Sequence, residues 1–154
     1  MDIFSGHILF NRDGDKVDPE EALQNKIVGL YFSNGSFSSC KEFATKLADF
    51  YSAALERSAL GQFEIIFISS DKTEDDMVEH MNLHGDWLSL PWHDSFKYEL
   101  WSRFQITALP KLVIVKPNGD VITYQGRKEI KERGIACLST WLDGADVFQN
   151  FKGL

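Results

Sequence analysis

The apolar residues of the chain fall into short continuous runs that alternate with stripes of helical spacing. The runs 27–32 and 63–69 are almost wholly apolar, which is typical of central strands covered on both faces. Between them, apolar side chains recur every three or four residues and share one side of a predicted helix; they are Phe43, Leu47, Phe50, Ala54 and Leu55. Strand, helix and strand in this order predict a βαβ unit with parallel strands and a right-handed crossover.

Shorter elements are predicted on either side of this unit. Residues 8–10 read as a strand, and the Asp-Gly pair at 13–14 suits a tight turn, which together favour an edge strand or a hairpin. The Asp-Pro pair at 18–19 is a typical helix start. Thr73, with an acidic residue three positions later, resembles a capping box that opens a helix over 74–84.

The C-terminal third of the chain predicts a hairpin and a last helix. The apolar runs 112–115 and 121–124 flank a Pro-Asn-Gly turn at 117–119, so these two strands are expected to pair antiparallel and make the sheet mixed. The last amphipathic helix is marked by Ile135, Leu138, Trp141, Leu142 and Ala145. Three more apolar residues predict that the tail also packs onto the domain: Val147, Phe148 and Phe151.

Length and composition agree with one globular domain over 1–154. A chain of 154 residues removes roughly 68–70% of its unfolded surface from water on folding, so it needs no metal or disulfide to build a core. The residues are 44% hydrophobic and 25% charged, which is typical of a globular protein and not of a disordered chain.

Charge and cysteine content limit the partners and the compartment. The 16 basic and 23 acidic side chains give a net charge of −7, which repels nucleic acid and anionic lipid headgroups. Residues 1–7 carry no basic stretch before a long apolar run, so neither a signal peptide nor a membrane span is expected. With only Cys40 and Cys137, we expect a cytoplasmic protein whose two thiols stay reduced and unpaired.

The order of these elements resembles the thioredoxin fold, which implies a three-layer α/β/α sandwich around a central mixed sheet. Three segments look like the tryparedoxin and nucleoredoxin branch of that fold: 29–33, 63–71 and 85–92. Three more look like the nucleoredoxin-like proteins, the rod-derived cone viability factor group: 22–26, 126–134 and 145–151. The resemblance runs almost end to end, and it implies a role in maintaining photoreceptors and other sensory neurons.

The loop Ser36-Phe37-Ser38-Ser39-Cys40 departs from the pattern of that branch. Oxidoreductases of the branch read Trp-Cys-x-x-Cys, so the resemblance puts Phe37 at the attacking cysteine and Cys40 at the resolving one. Thiol–disulfide exchange passes through a mixed disulfide that a second thiol must break. The loop is therefore expected to lack dithiol turnover, and no cofactor is implied.

Two interpretations of Cys40 are open. Ser39 and Glu42 have capping-box spacing, which would put the thiol in the first turn of a helix, where negative charge is stabilised. The resemblance places the second cysteine of the motif recessed, here behind Phe37. Cys40 is then either a small thiol that packs under the loop or a monothiol that accepts glutathione or a peroxide oxygen. Cys137 is expected to be a core residue.

Leu109-Pro110 is the second part of the predicted site. A proline that opens a strand lacks the donor of a central ladder, and the simple alternative is that Pro110 only starts a strand. The resemblance implies a cis peptide bond there and places the backbone of Leu109 beside the Cys40 loop. An extended peptide of a partner protein could then pair with it as an added strand.

Aromatic residues and histidines supply the remaining candidates. Trp87 and Trp101 are predicted to lie in the core, and Trp92 to make an exposed partner contact. His80 and His84 have metal-ligand spacing, but no third ligand is evident, so they are interpreted as solvated helix histidines. The acidic run 71–76 is interpreted as a solvated start of the same helix, and no metal site is predicted.

Overall fold

A mixed sheet forms the middle layer of the structure, a computed structural model that describes residues 2–57 and 61–145. Within these residues the sheet has seven strands in the order β2-β1-β5-β4-β3-β6-β7. Their bounds are β1 Leu9–Phe10, β2 Lys16–Val17, β3 Ile27–Ser33, β4 Phe63–Ser69, β5 Leu88–Ser89, β6 Lys111–Val115 and β7 Val121–Thr123. The predicted N-terminal hairpin is confirmed as the antiparallel pair β1–β2.

The predicted parallel pairing of the central strands is confirmed. β3 and β4 run parallel in an unbroken register from Ile27 opposite Phe63 to Ser33 opposite Ser69. β6 pairs antiparallel with β3 on its other side, and β7 follows as the second strand of the predicted hairpin. The carboxyl ends of β3 and β4 therefore meet at one edge of the sheet, which is where the candidate loop begins.

The helices of the described residues cover both faces of this sheet. Their bounds are α1 Pro19–Ala22, α2 Ser38–Glu56, α3 Glu74–Met81, α4 Phe96–Arg103, α5 Gly126–Arg133 and α6 Ala136–Gly144. α1 starts at the predicted Asp-Pro pair, where the Asp18 side chain accepts a hydrogen bond from the backbone of Glu20. Thr73 caps α3 as predicted, but this helix ends at Met81 and not at 84.

Alternating side chains divide the core into two layers, one on each face of the sheet. On one face Tyr31 and Phe67 pack with α2, α3 and α6, whereas Phe32 and Ile68 on the other face pack against α4. Because both faces are covered, the central strands are apolar at nearly every position. The three-layer thioredoxin fold is thereby confirmed.

Not all of the predicted core side chains are buried as expected. Trp87 is buried as predicted, and Trp101 is partly buried with its ring edge-on to Phe32. Leu55 is 60% exposed, so its assignment to the buried face of α2 is wrong, since it follows Ala54 by about 100° around the helix. The tail residues predicted to pack lie outside the described residues: Val147, Phe148 and Phe151.

Candidate functional site

The loop between β3 and α2 is tied by hydrogen bonds to the segment that follows β4. The Asn34 side-chain amide donates to the carbonyl of Ser70 (2.9 Å), and its oxygen accepts from the backbone N–H of Ser36 (2.9 Å). The N–H of Gly35 donates to Oδ1 of Asp71 (2.7 Å). The parallel register brings these partners together, because the loop and Asp71 leave neighbouring strands at the same edge.

The start of α2 carries Phe37 at its cap and Cys40 three residues later, and the Cys40 N–H donates to the Phe37 carbonyl (3.1 Å). Phe37 is the N-cap residue and makes no side-chain capping bond, and its ring is 49% exposed. Cys40 is the third helical residue and wholly buried, so the predicted first-turn position is confirmed. The predicted capping box of Ser39 and Glu42 is wrong, since the helix starts at Ser38 and Ser39 lies inside it.

Leu109-Pro110 lies at the same edge of the sheet. The bond between these residues is cis, as predicted. β6 begins at Lys111, which pairs with Phe32 near the end of β3, so the preceding two residues continue toward the loop end of β3. Pro110 is buried and Leu109 partly buried against the second core layer.

A buried polar cluster lies beneath the loop, where solvated side chains were predicted. His80 and His84 are only 4% and 5% exposed, and their rings are 4.8 Å apart. His80 points inward because α3 packs on the sheet face that carries Tyr31 and Phe67. His84 follows the end of this helix, and its ring lies 4.5 Å from the Phe67 ring. The interpretation of both as solvated helix histidines is wrong.

Asp71 anchors this cluster as a buried carboxylate. It accepts hydrogen bonds from Oγ of Ser69 (2.6 Å) and from the Gly35 N–H. Burial acts to raise the pKa of Asp71, but His80 and these two donors outweigh it and lower the pKa below its usual range. The predicted solvated helix start is therefore wrong at Asp71, whereas residues 72–76 are exposed as predicted.

The two histidines differ in their surroundings. Burial, helped by the neighbouring His80, lowers the pKa of His84 to about 3, so its ring is neutral at pH 7. Nδ1 of His80 is 3.7 Å from Oδ2 of Asp71, which is too long for a hydrogen bond. Burial also raises the pKa of the Tyr31 hydroxyl, with smaller contributions from nearby Cys40 and Asp71.

Substituting Gly35 should disturb the contact between the loop and this cluster. A Cβ at Gly35 would lie 2.8 Å from both Cβ and Cγ of His80, so Gly35→Ala should lower the free energy of unfolding by about 1–3 kcal/mol. Gly61→Ala is the matched control because a Cβ there meets no atom within 4 Å. Urea denaturation measures both variants, and equal stability would show that the close approach is unimportant.

Trp92 is held in place by the same segment. Its indole N–H donates to the carbonyl of Asp71 (2.9 Å), and Nζ of Lys97 lies 5.3 Å from the ring centroid. The side chain is partly buried against the core, and so less open than predicted. Its role as a partner contact stays a prediction.

The arrangement offers one thiol and no second one for exchange. Cys137 and Cys40 are both buried, and both are free thiols in this structure. That they stay reduced in the cell remains a prediction. Burial raises the pKa of the Cys137 thiol to about 12. Over residues 2–57 and 61–145, no cluster of three or more His, Cys, Asp or Glu side chains could hold a metal ion, and no helix could cross a membrane.

The fold and this site define a thioredoxin-like protein. Residues 25–121 match the family model described as Thioredoxin-like. A thioredoxin from Wuchereria bancrofti superposes with a TM-score of 0.80 at 32% identity, over 94% of this chain and 100% of that one. A tryparedoxin II complexed with glutathionylspermidine superposes with a TM-score of 0.76 at 28% identity, over 85% and 89% of the two chains.

Within this class the chain belongs to the nucleoredoxin-like proteins. It is 33% identical to human nucleoredoxin-like protein 1 over 97% of this chain and 76% of that protein. The mouse protein of the same name is also 33% identical, over 94% of this chain and 71% of that protein. The resemblance seen in the sequence is thereby confirmed at the level of the family.

Sequence reasoning missed the cluster of Asp71, His80 and His84, although a signal for it exists. Met77 and His80 lie at positions i and i+3, the spacing of one helix face, and His84 follows three residues after the helix end. Met77 is apolar and therefore marks that face as the buried one. The polarity of the two histidines obscured this pattern.

Proposed function

We propose that this nucleoredoxin-like protein binds an extended segment of a partner protein at the Cys40 loop and runs no dithiol redox cycle. In this proposal it acts in the cytoplasm in the maintenance of sensory neurons such as photoreceptors. The observation that carries the proposal is Phe37, a half-exposed aromatic ring at the helix cap where the family pattern requires the attacking thiol.

The chemistry of the loop supports the absence of turnover. A thiolate that attacks a disulfide forms a new S–S bond and releases one thiolate, and a second protein thiol must then attack that bond to free the enzyme. Cys40 has no such partner, because Cys137 is buried on α6 with a pKa of about 12. A mixed disulfide at Cys40 would therefore persist until an external thiol removed it.

The geometry of the loop supports binding. The Phe37 ring offers an apolar anchor, and aromatic anchors of this kind carry much of the affinity at protein interfaces. Ser36, Ser38 and Ser39 surround it with small polar groups, and Leu109-Pro110 lies at the same sheet edge. An extended segment laid across this edge would contact the ring, and its backbone could pair with that of Leu109 as an added strand.

The tissue role rests on resemblance alone. The segments 22–26, 126–134 and 145–151 look like nucleoredoxin-like protein 2, a relative associated with the survival of photoreceptors and other sensory neurons. A role through protein contacts agrees with a loop that has kept its fold and lost its attacking thiol.

Selection from a phage-displayed library of random nonapeptides tests the binding claim. Panning is done in dithiothreitol, which prevents capture through a mixed disulfide. Peptides enriched on the wild type should bind Phe37→Asp at least about tenfold more weakly, because the charge removes the apolar anchor. Enrichment that is equal on both proteins, or no enrichment at all, would contradict the proposal.

A second candidate is monothiol redox chemistry at Cys40 with glutathione as the resolving agent. The observation that favours it is the likeness to a tryparedoxin II whose structure holds glutathionylspermidine, together with the first-turn position of Cys40. In that reaction Cys40 gives up its proton, attacks glutathione disulfide and releases one glutathione thiolate. Mass spectrometry should then find a glutathione adduct on the wild type that is absent from Cys40→Ser.

A further inference from the structure

Two clefts of opposite charge lie on opposite sides of the start of α2. One cleft is lined by residues at positions i, i+4 and i+7 on one face of the helix, namely Ser39, Phe43 and Lys46. The other cleft is lined by Lys41, which is two positions from Ser39 and therefore about 200° around the helix. Phe37 caps the helix between them.

The cleft on the side of Lys41 is acidic. It has a volume of about 520 Å³ and lies between the loop at Gly35 and Ser36 and helix α3. Its charged lining consists of three carboxylates and one ammonium group: Asp71, Asp76, Glu79 and Lys41. Asp76 and Glu79 are exposed and belong to no ion pair found in the described residues.

An independent observation marks this cleft as a binding site. His80 lines it, is 4% exposed, and neither of its ring nitrogens has a hydrogen-bond partner among the described residues. A buried polar group without a partner costs free energy that a bound donor can recover.

The cleft on the side of Ser39 is basic and smaller, with a volume of about 40 Å³. Its charged lining is opposite in sign to that of the acidic cleft and consists of three cations and one carboxylate: Lys46, Arg127, Lys131 and Glu42. Glu42 is already engaged by Lys46 at 3.6 Å, so Arg127 and Lys131 on α5 are left facing the cleft. The guanidinium of Arg127 lies 6.0 Å from the Phe43 ring centroid, which holds it beside α2.

We propose that the Cys40 loop selects an extended peptide of defined charge polarity, with basic residues on the α3 side of an apolar anchor and acidic residues on the α5 side. This inference rests on the proposed function and names the class of partner segment. Charge complementarity supports it, because the whole molecule has a net charge of −7 and an acidic segment would be repelled except at the α5 cleft. The negative electrostatic field of the protein would also attract the basic half of the peptide to the acidic cleft beside α3.

The expected difference in affinity between peptides of opposite charge order is moderate, because the charged side chains of both clefts are largely exposed to solvent. An exposed ion pair changes an affinity by severalfold at most, and several pairs that change from attractive to repulsive should together give about tenfold. The difference should disappear at about 1 M salt, where the Debye length is only about 3 Å.

Two fluorescein-labelled nonapeptides of identical composition provide the test. One has two lysines before a central leucine and two glutamates after it, and the other has the same residues in reverse order, so length, net charge and anchor are matched. Fluorescence anisotropy at low salt should give dissociation constants for the wild type that differ by about tenfold. Which peptide binds more tightly also reveals the direction of the bound chain.

Charge reversal on the protein should invert the preference. The variant Asp76→Lys/Glu79→Lys/Lys46→Glu/Lys131→Glu keeps the net charge and exchanges the two cleft polarities. Asp75→Lys/Lys128→Glu is the matched control on the same two helices, since neither residue lines a cleft, and it should keep the preference of the wild type. Because every substituted side chain is exposed, circular dichroism should show native folding.

The outcomes separate the inference from the proposed function. The proposed charge selectivity is wrong if the wild type binds both peptides with equal affinity, or if the charge-reversed protein keeps the wild-type preference. Neither result contradicts the proposal that the loop binds peptides. Absence of binding by both peptides also overturns the inference. The proposed function falls with it only if the library selection yields no peptide that depends on Phe37.

Discussion

Phe37→Cys should convert this protein into a working dithiol reductase. The substitution creates a second thiol at the helix cap, three residues before Cys40. The Cys40 N–H donates to the carbonyl of residue 37 at 3.1 Å, so the two residues are neighbours across the first turn and could form a disulfide after a small shift. Phe37 is half-exposed at the helix cap, so a thiol there can reach a substrate. Insulin reduction with dithiothreitol should run at least about tenfold faster than with the wild type, which should match buffer.

The control for this result is Phe37→Ser. It removes the same ring and opens the same space without supplying a thiol, and its rate should stay at the buffer level. A folded Phe37→Cys protein without activity would show that the groove around the loop has diverged along with the lost cysteine. Wild-type turnover comparable to that of a thioredoxin would contradict the proposed function itself.

His84→Phe should make the free energy of unfolding less dependent on pH below about 6.5. The reason is that the substitution removes a group that binds about one proton more in the unfolded chain than in the folded protein. Native His84 has a pKa of about 3, against 6.5 for a free side chain, so between these values the unfolded chain binds the extra proton. The free energy of unfolding therefore falls as the pH drops from 6.5, by about 1.4 kcal/mol per pH unit from this residue alone. Because the unfolded side chain is already half protonated at pH 6.5, the fall from pH 6.5 to 4.5 amounts to about 2.3 kcal/mol, a contribution that the variant should lack.

Urea denaturation between pH 4.5 and 7 measures this slope. Comparison of the wild type with the variant cancels the other groups, among them Glu64, whose pKa burial raises and whose contribution has the opposite sign. His93→Phe is the control because His93 is exposed, and its slope should equal that of the wild type. If the phenylalanine is not tolerated, His84→Gln also removes the titration. Equal slopes in all proteins would show that His84 is not buried in neutral form.

The fold could be predicted because its signals are local and strong. The strands at 27–33 and 63–69 are apolar at nearly every position, and the stripe of α2 has helical spacing over about three turns. The positions of β5 and α4 were not predicted. β5 is only two residues long, and the face of α4 buries Leu100 alone within the helix, so neither carries enough periodicity to identify an element.

The candidate site could be predicted in part. The loop and Leu109-Pro110 follow from motifs with a fixed place in the fold. The burial of His80 and His84 could not be read from residue type, since histidine is common both in cores and on surfaces. The two charged clefts depend on which helices meet the start of α2, a tertiary arrangement that spacing along the chain does not contain.

The affinity of Cys40→Ser for a library-selected peptide tests the central claim most directly. The substitution deletes all thiol chemistry at the loop and changes little else, because the side chain is small and wholly buried. If the protein acts by noncovalent recognition, isothermal titration calorimetry should give a dissociation constant within about threefold of the wild-type value. Loss of binding by a folded Cys40→Ser protein would contradict the account and assign the site to its thiol.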